Sequence, residues 1–175
     1  SEVIENDIEI SDKNNYVATI DVTRSAEDKT MSFITKAAYK NIEIISFKAT
    51  VESTSWWGNS LVEAHKTDIY TWSVGNFAAG NSTWTEYTYA FADGKCVITA
   101  SNGATMTKDF ANDKAYYIFY FGEKNAASKT TQIADFTIVA DGKTYVENFS
   151  GEQEEWLFET DGEVTKTVNN DVEVV

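Results

Sequence analysis

Residues 83–110 read TWTEYTYAFADGKCVITASNGATMTKDF, and their pattern decides the fold class. Three alternating runs, at 83–91, 95–100 and 104–110, are separated by Asp93-Gly94 and Asn102-Gly103. An Asp-Gly or Asn-Gly pair supplies the positive φ angles that a tight hairpin needs. The stretch therefore predicts three consecutive antiparallel strands. Side chains alternate across a strand, so Tyr87, Tyr89 and Phe91 share one face, opposite Trp84, Glu86 and Thr88.

The same pattern continues in both directions. Further β runs lie at 16–22, 30–37, 42–52, 69–75, 116–123 and 133–140, with EWLFE (155–159) and VTKTV (164–168) at the end. Asp141-Gly142 and Asp161-Gly162 add two more hairpin turns. Helical periodicity is absent, and LVEAHK (61–66) is expected to form one helical turn at most. Many short strands with turns every eight to twelve residues predict an all-β fold, a β-sandwich of two antiparallel sheets with jelly-roll topology. At 175 residues the chain fits one domain, 1–175. ENDIEI (5–10) and NNDVEV (169–174) echo each other in register. Either the ends are shared with a tandem repeat, or two unrelated edge strands have similar composition.

The formal net charge of −14 repels phosphate backbones and anionic lipid, so neither nucleic acid nor a membrane surface is an expected partner. A neutral partner fits better. No apolar run has the length of a membrane span, and SEVIENDIEI (1–10) does not read as a signal peptide. Cys96, the single cysteine, lies in the apolar run CVITA and is expected to be buried; it excludes an internal disulfide. One histidine and two methionines leave little material for metal or redox chemistry.

Aromatic residues make up 14% of the chain, more than a core of this size requires. In SFKATVE, Phe47, Ala49 and Val51 are expected inside, with Lys48, Thr50 and Glu52 outside. YYIFYFG is apolar on both faces: Tyr117, Phe119 and Phe121 make one, and Tyr116, Ile118 and Tyr120 the other. The second face is expected outside, either as a ligand-binding surface or as part of a central strand covered on both sides. Tyr70 and Trp72 share a face in IYTWS. STSWWGNS (53–60) reads as a loop carrying two of the five tryptophans, and adjacent residues of a strand cannot both face a core.

STWTEYTYAF, AYYIFYFGEK and QIADFTIVADGK together resemble the closing half of jelly-roll carbohydrate-binding modules of the type that binds β-glucans or cellulose. NYVATIDVTRSAEDKTMSFIT and ISFKATVES resemble their earlier strands, so the resemblance covers roughly residues 16–143. One departure stands out. A segment like ENFSGEQEEW usually opens such modules, and here it lies at 147–156. The resemblance implies a structural Ca²⁺ away from the sugar site, with Asp135 and Glu152 at the matching positions, and no other cofactor.

Sugar binding needs flat aromatic rings for the C–H faces of a pyranose and polar groups for its hydroxyl edges. Trp56, Trp57, Trp72, Tyr116 and Tyr120 are the candidate stacking residues, with Asn59, Glu86 and Gln132 as hydroxyl partners. Trp84 and Trp156 read as structural. Catalysis by a jelly-roll glycoside hydrolase would need two carboxylates flanking a bond. Acids cluster only in GEQEEW and IENDIEI, both in terminal segments, and His65 has no triad partners nearby, so no catalytic residue is assigned. The expected function is a non-catalytic carbohydrate-binding module for a neutral plant cell-wall β-glucan such as cellulose, xyloglucan or mixed-linkage glucan. It is expected to be monomeric, secreted by a bacterium and attached in cis to a glycoside hydrolase. The alternatives are a structural or adhesive β-sandwich repeat and a jelly-roll hydrolase.

Overall fold

Asp93 and Gly94 adopt φ of 52° and 73°, and Asp141 and Gly142 repeat those values, the left-handed geometry of a tight hairpin. They belong to a computed structural model that describes residues 16–21, 31–50, 58–65, 72–75, 77, 84–122, 130–161 and 163–168. The described strands are β1 (Tyr16–Asp21), β2 (Met31–Thr35), β3 (Ile42–Thr50), β4 (Gly58–Glu63), β5 (Ser73–Gly75), β6 (Thr85–Ala92) and β7 (Lys95–Ala100). They continue as β8 (Thr105–Asp109), β9 (Tyr116–Gly122), β10 (Thr130–Ala140), β11 (Lys143–Glu147), β12 (Phe158–Asp161) and β13 (Glu163–Val168). Among the described residues one sheet has five strands in the order β12-β2-β9-β4-β5. The other has eight, β13-β1-β10-β3-β6-β7-β8, with β11 pairing β10. Every pairing is antiparallel. The predicted all-β sandwich of two antiparallel sheets is what the chain forms.

Four local expectations are corrected. Gly58, Asn59 and Ser60, the end of STSWWGNS, are strand rather than loop. Within LVEAHK, Leu61, Val62 and Glu63 continue that strand and a turn follows at Ala64 and His65, φ 76°, in place of a helical turn. Lys143–Glu147 is a strand that the sequence pattern does not signal, because its burial runs against hydropathy, with Val146 exposed and Glu147 buried. In EWLFE a 3₁₀ turn over Gln153–Glu155 comes first, and the strand begins only at Phe158. The terminal echo, residues 66–71 and Gly162 lie outside the described residues.

The core is an aromatic layer between the sheets. Phe47 of β3 stacks on Phe136 of β10 at 5.1 Å and 7° between planes, and on Tyr87 of β6 at 5.3 Å. Tyr120 of β9, from the other sheet, meets Phe47 edge-on at 5.6 Å. Phe33 contacts Tyr120, Phe149 and Phe158, which ties β2 and β12 into the same layer. Cys96 is fully buried as expected, and burial pushes its thiol up to about 12, so it serves as a packing group.

After β11 the chain passes through Phe149 at φ 59°, a conformation rare for a bulky residue and costing on the order of 1–3 kcal/mol. Its surroundings hold it there. The Glu147 carboxylate accepts the Phe149 N–H at 2.8 Å and also the Leu157 N–H. The Phe149 ring packs on Trp156 at 5.0 Å, and Trp156 Nε1 donates to Ser150 O at 3.1 Å. Burial raises the Glu147 pKa, opposed by the N–H groups of Leu157 and Phe149 and by Lys36, with a net upward shift.

Two outcomes follow from this packing. Phe47→Ala is expected to lose about 3–5 kcal/mol in urea unfolding, whereas Val97→Ala on the exposed face stays within about 0.5 kcal/mol. A carboxyl whose pKa is raised on folding contributes most below its unfolded value, and that contribution is lost as pH rises through the folded value. Glu147→Gln does not titrate. Thermal transitions measured at pH 4 and pH 7 should therefore show wild type losing ground to this variant as pH rises.

Candidate functional site

The expectation that Tyr116 and Tyr120 face outward is reversed. Tyr116, Ile118 and Tyr120 are 6%, 1% and 0% exposed and form the inner face of β9. Strand parity sorts residues into two faces but does not say which is inside, and β9 is apolar on both. Tyr116 packs on Phe110 at 4.8 Å, and its hydroxyl donates to Ala111 O at 2.6 Å. Asn59 is also interior, its Oδ1 accepting the Tyr89 hydroxyl at 2.6 Å across the sandwich. These three residues build the core and present nothing to a ligand outside it.

Trp72 is half-buried and acts as a rivet. Its Nε1 donates to Asp109 O at 2.7 Å, its ring meets Phe110 at 5.1 Å, and Lys108 Nζ lies 5.1 Å above that ring. Lys108 also donates to Ser73 O, so β5, an edge strand of the smaller sheet, is fastened to β8, an edge strand of the larger. Trp156 is buried, as its structural assignment requires, and Trp84 is half-buried. Trp56 and Trp57 lie outside the described residues.

Three of the polar candidates do come together, on the outer face of the larger sheet. Gln132 stands opposite Thr50, whose hydroxyl donates to Gln132 Oε1 at 3.3 Å. Lys48 is paired across strands with Glu86 and donates to Asp135 at 3.0 Å. Asp135 takes φ 51° in a bulge between Ala134 and Thr137, which turns its side chain towards Lys48. Glu152 instead precedes the 3₁₀ turn, its N–H donating to Glu155 Oε2 at 3.3 Å. Among the described residues no cluster of three or more His, Cys, Asp or Glu side chains is placed to hold a metal ion.

The outer face of the smaller sheet carries an apolar cluster of its own. Tyr117 is paired with Val62 and Phe119 with Ile34; Val62 and Phe119 are buried, while Tyr117 and Ile34 are partly exposed. Sequence alternation names Tyr117 and Phe119 as a set but places them inside. Between the sheets, a cavity lined by Ile45, Asn59, Leu61, Trp72, Tyr89 and Ile118 has a volume of only about 10 Å³. That is room for about one water molecule, so this interior space admits no sugar ring.

No family model matches the chain, and no curated protein does. Among solved structures, the native heptameric SAP-like pentraxin from Limulus polyphemus superposes with a TM-score of 0.56 at 7% identity, covering 93% of this chain and 99% of that one. The fold it shares with this chain is the β-sandwich. SCLam, a non-specific endo-β-1,3(4)-glucanase from family GH16, superposes with a TM-score of 0.39 at 8% identity, over 55% of this chain and 57% of that one. No helix among the described residues is long and apolar enough to cross a membrane.

Trp72→Phe keeps a ring in the rivet but deletes the Nε1 donor to Asp109 O. A loss of about 1–2 kcal/mol is expected in denaturant unfolding at unchanged m-value.

Proposed function

We propose that this chain is a non-catalytic module that binds a neutral polysaccharide of the β-glucan class. The observation that carries the reading is the cluster of Tyr117, Phe119, Val62 and Ile34 on the outer face of the smaller sheet. Tyr117 and Ile34, its partly exposed members, put aromatic and aliphatic surface outside the main core, while Val62 and Phe119 are buried. The cluster also borders β4, the strand that directly follows Trp56 and Trp57 in the chain. A pyranose presents C–H faces that rest on such a surface with little loss of side-chain freedom. The charge of −14 disfavours acidic polymers and meets no such repulsion from neutral ones. Roughly 4–8 kcal/mol of net binding energy corresponds to a dissociation constant between a millimolar and a micromolar. In this reading the module is secreted by a bacterium and travels on a glycoside hydrolase, holding it near substrate without changing a covalent bond.

A second reading, a structural or adhesive repeat, is favoured by one observation. Tyr116 and Tyr120, two of the five candidate stacking residues, are spent on packing.

Native affinity electrophoresis through gels of hydroxyethyl cellulose, xyloglucan, mixed-linkage glucan, xylan and pectin separates the two. Retardation by a neutral glucan, at least tenfold weaker in Tyr117→Ala and in Trp56→Ala/Trp57→Ala with unchanged thermal transitions, is the expected result. Free migration of wild type in every gel would remove the carbohydrate reading and leave the repeat.

A further inference from the structure

Six consecutive strands of the larger sheet align their outward side chains in two rows. The first runs Val146, Thr137, Ser46, Thr88, Thr99, Thr105 across β11, β10, β3, β6, β7 and β8. The second, two residues further along each strand, runs Thr144, Val139, Ile44, Ala90, Val97, Thr107. Directly paired residues point to the same side of a sheet, and all twelve of these positions are exposed or partly exposed, Val97 at 40% and Val146 at 50%. None carries a charge. In a chain of 28 acidic and 14 basic residues this is an unusual field, and charge resumes at both borders. Lys48 and Glu86 flank the hydroxyl row, while the Lys95–Asp109 pair flanks the aliphatic one.

We infer that this field is a second binding surface, and that its occupant is an extended neutral polysaccharide lying across the strands. The inference rests on the polysaccharide reading above and adds a surface on the opposite sheet. Three properties select the occupant. A neutral partner meets no unpaired charge on the field and needs none desolvated. The hydroxyls both donate and accept, as the hydroxyls of a sugar chain do, and the adjoining row of methyl and methylene groups suits its C–H faces. Most of the side chains are β-branched or short, so binding immobilises few rotamers.

Size argues against a second copy of the chain. Six strands at about 4.8 Å spacing span roughly 24 Å, and two rows cover about 14 Å, a footprint of roughly 340 Å². A stable protein–protein contact buries about 800 Å² on each partner. Glu86, a hydroxyl partner that sequence analysis selects, borders the field on the same outer face, and Gln132 lies one row further, beyond Lys48 and Asp135.

The test uses the same gels and the intact chain. Thr99→Glu/Thr105→Glu and Thr99→Lys/Thr105→Lys place charge of either sign on exposed positions of the field, and Ala111→Glu, in the loop before β9, is the control. Both charged pairs are expected to weaken retardation by the neutral glucan tenfold or more, the control to leave it unchanged, and all thermal transitions to stay within a few degrees. If the paired variants fail to fold, Thr137→Lys carries the test alone with the same expected loss.

Wild type retarded with the charged variants retarded equally would overturn the second surface and leave the polysaccharide reading standing. Tighter binding by the lysine pair would overturn it in favour of an acidic partner. A wild-type dimer in sedimentation velocity that both charged pairs abolish would assign the field to a second copy. No retardation of wild type by any polymer would remove the parent reading, and this inference with it.

Discussion

Phe47 sits where the two sheets meet, and most of the interior is arranged around its ring. It stacks on Phe136 and Tyr87 within its own sheet and takes the edge of Tyr120 from the other. Two sheets face each other about 10 Å apart, a gap that one layer of interdigitated aromatic rings fills. The demand for rings at that spacing explains why Tyr87, Tyr89 and Tyr120 are interior despite their hydroxyls. Burial pushes the phenols of all three upward, so they stay neutral, and Asn59 reaches across to accept a hydrogen bond from the Tyr89 hydroxyl. Among the described residues, the burial of most aromatic rings follows from that same demand.

Polar groups tie the ends of this layer. At one edge Trp72 and Lys108 join β5 to β8; elsewhere Glu147 gathers the N–H groups of Phe149 and Leu157 and holds a bulky residue in a left-handed conformation. Both devices give backbone groups a side-chain partner. Neither shows in a hydropathy pattern, since Trp72 and Glu147 gain their partners from segments about 37 and 10 residues away.

The sheet architecture was legible because turn chemistry is local. Asp93-Gly94 and Asp141-Gly142 need nothing beyond their own backbone, and β7 runs from Lys95 to Ala100 as its alternation predicts. Failures came where local pattern is silent. Lys143–Glu147 is a polar strand recruited by pairing with β10, and β9 is apolar on both faces, so only its neighbours decide that Tyr120 is inside and Tyr117 outside. The candidate site was less legible still. Single-residue chemistry picked out Tyr116, Tyr120 and Asn59 for their side chains, whereas the surface features of the folded chain, the Tyr117 cluster and the uncharged double row, arise from register between distant strands. Thr88 and Thr99 are unremarkable alone; facing each other across β6 and β7 they become a surface.

Among the described strands, the last two pair with the first two, β13 with β1 in one sheet and β12 with β2 in the other. The edges of β1 and β2 that these strands cover stay open until residues 158–168 have been made. Pairings of such sequence separation close slowly, because the loop entropy comes due before the contacts form. A ribosome-bound chain stalled short of Phe158 would hold most of its aromatic layer beside two unguarded strand edges. The acidic surplus spread along the chain gives such open-edged chains a mutual repulsion before folding is complete.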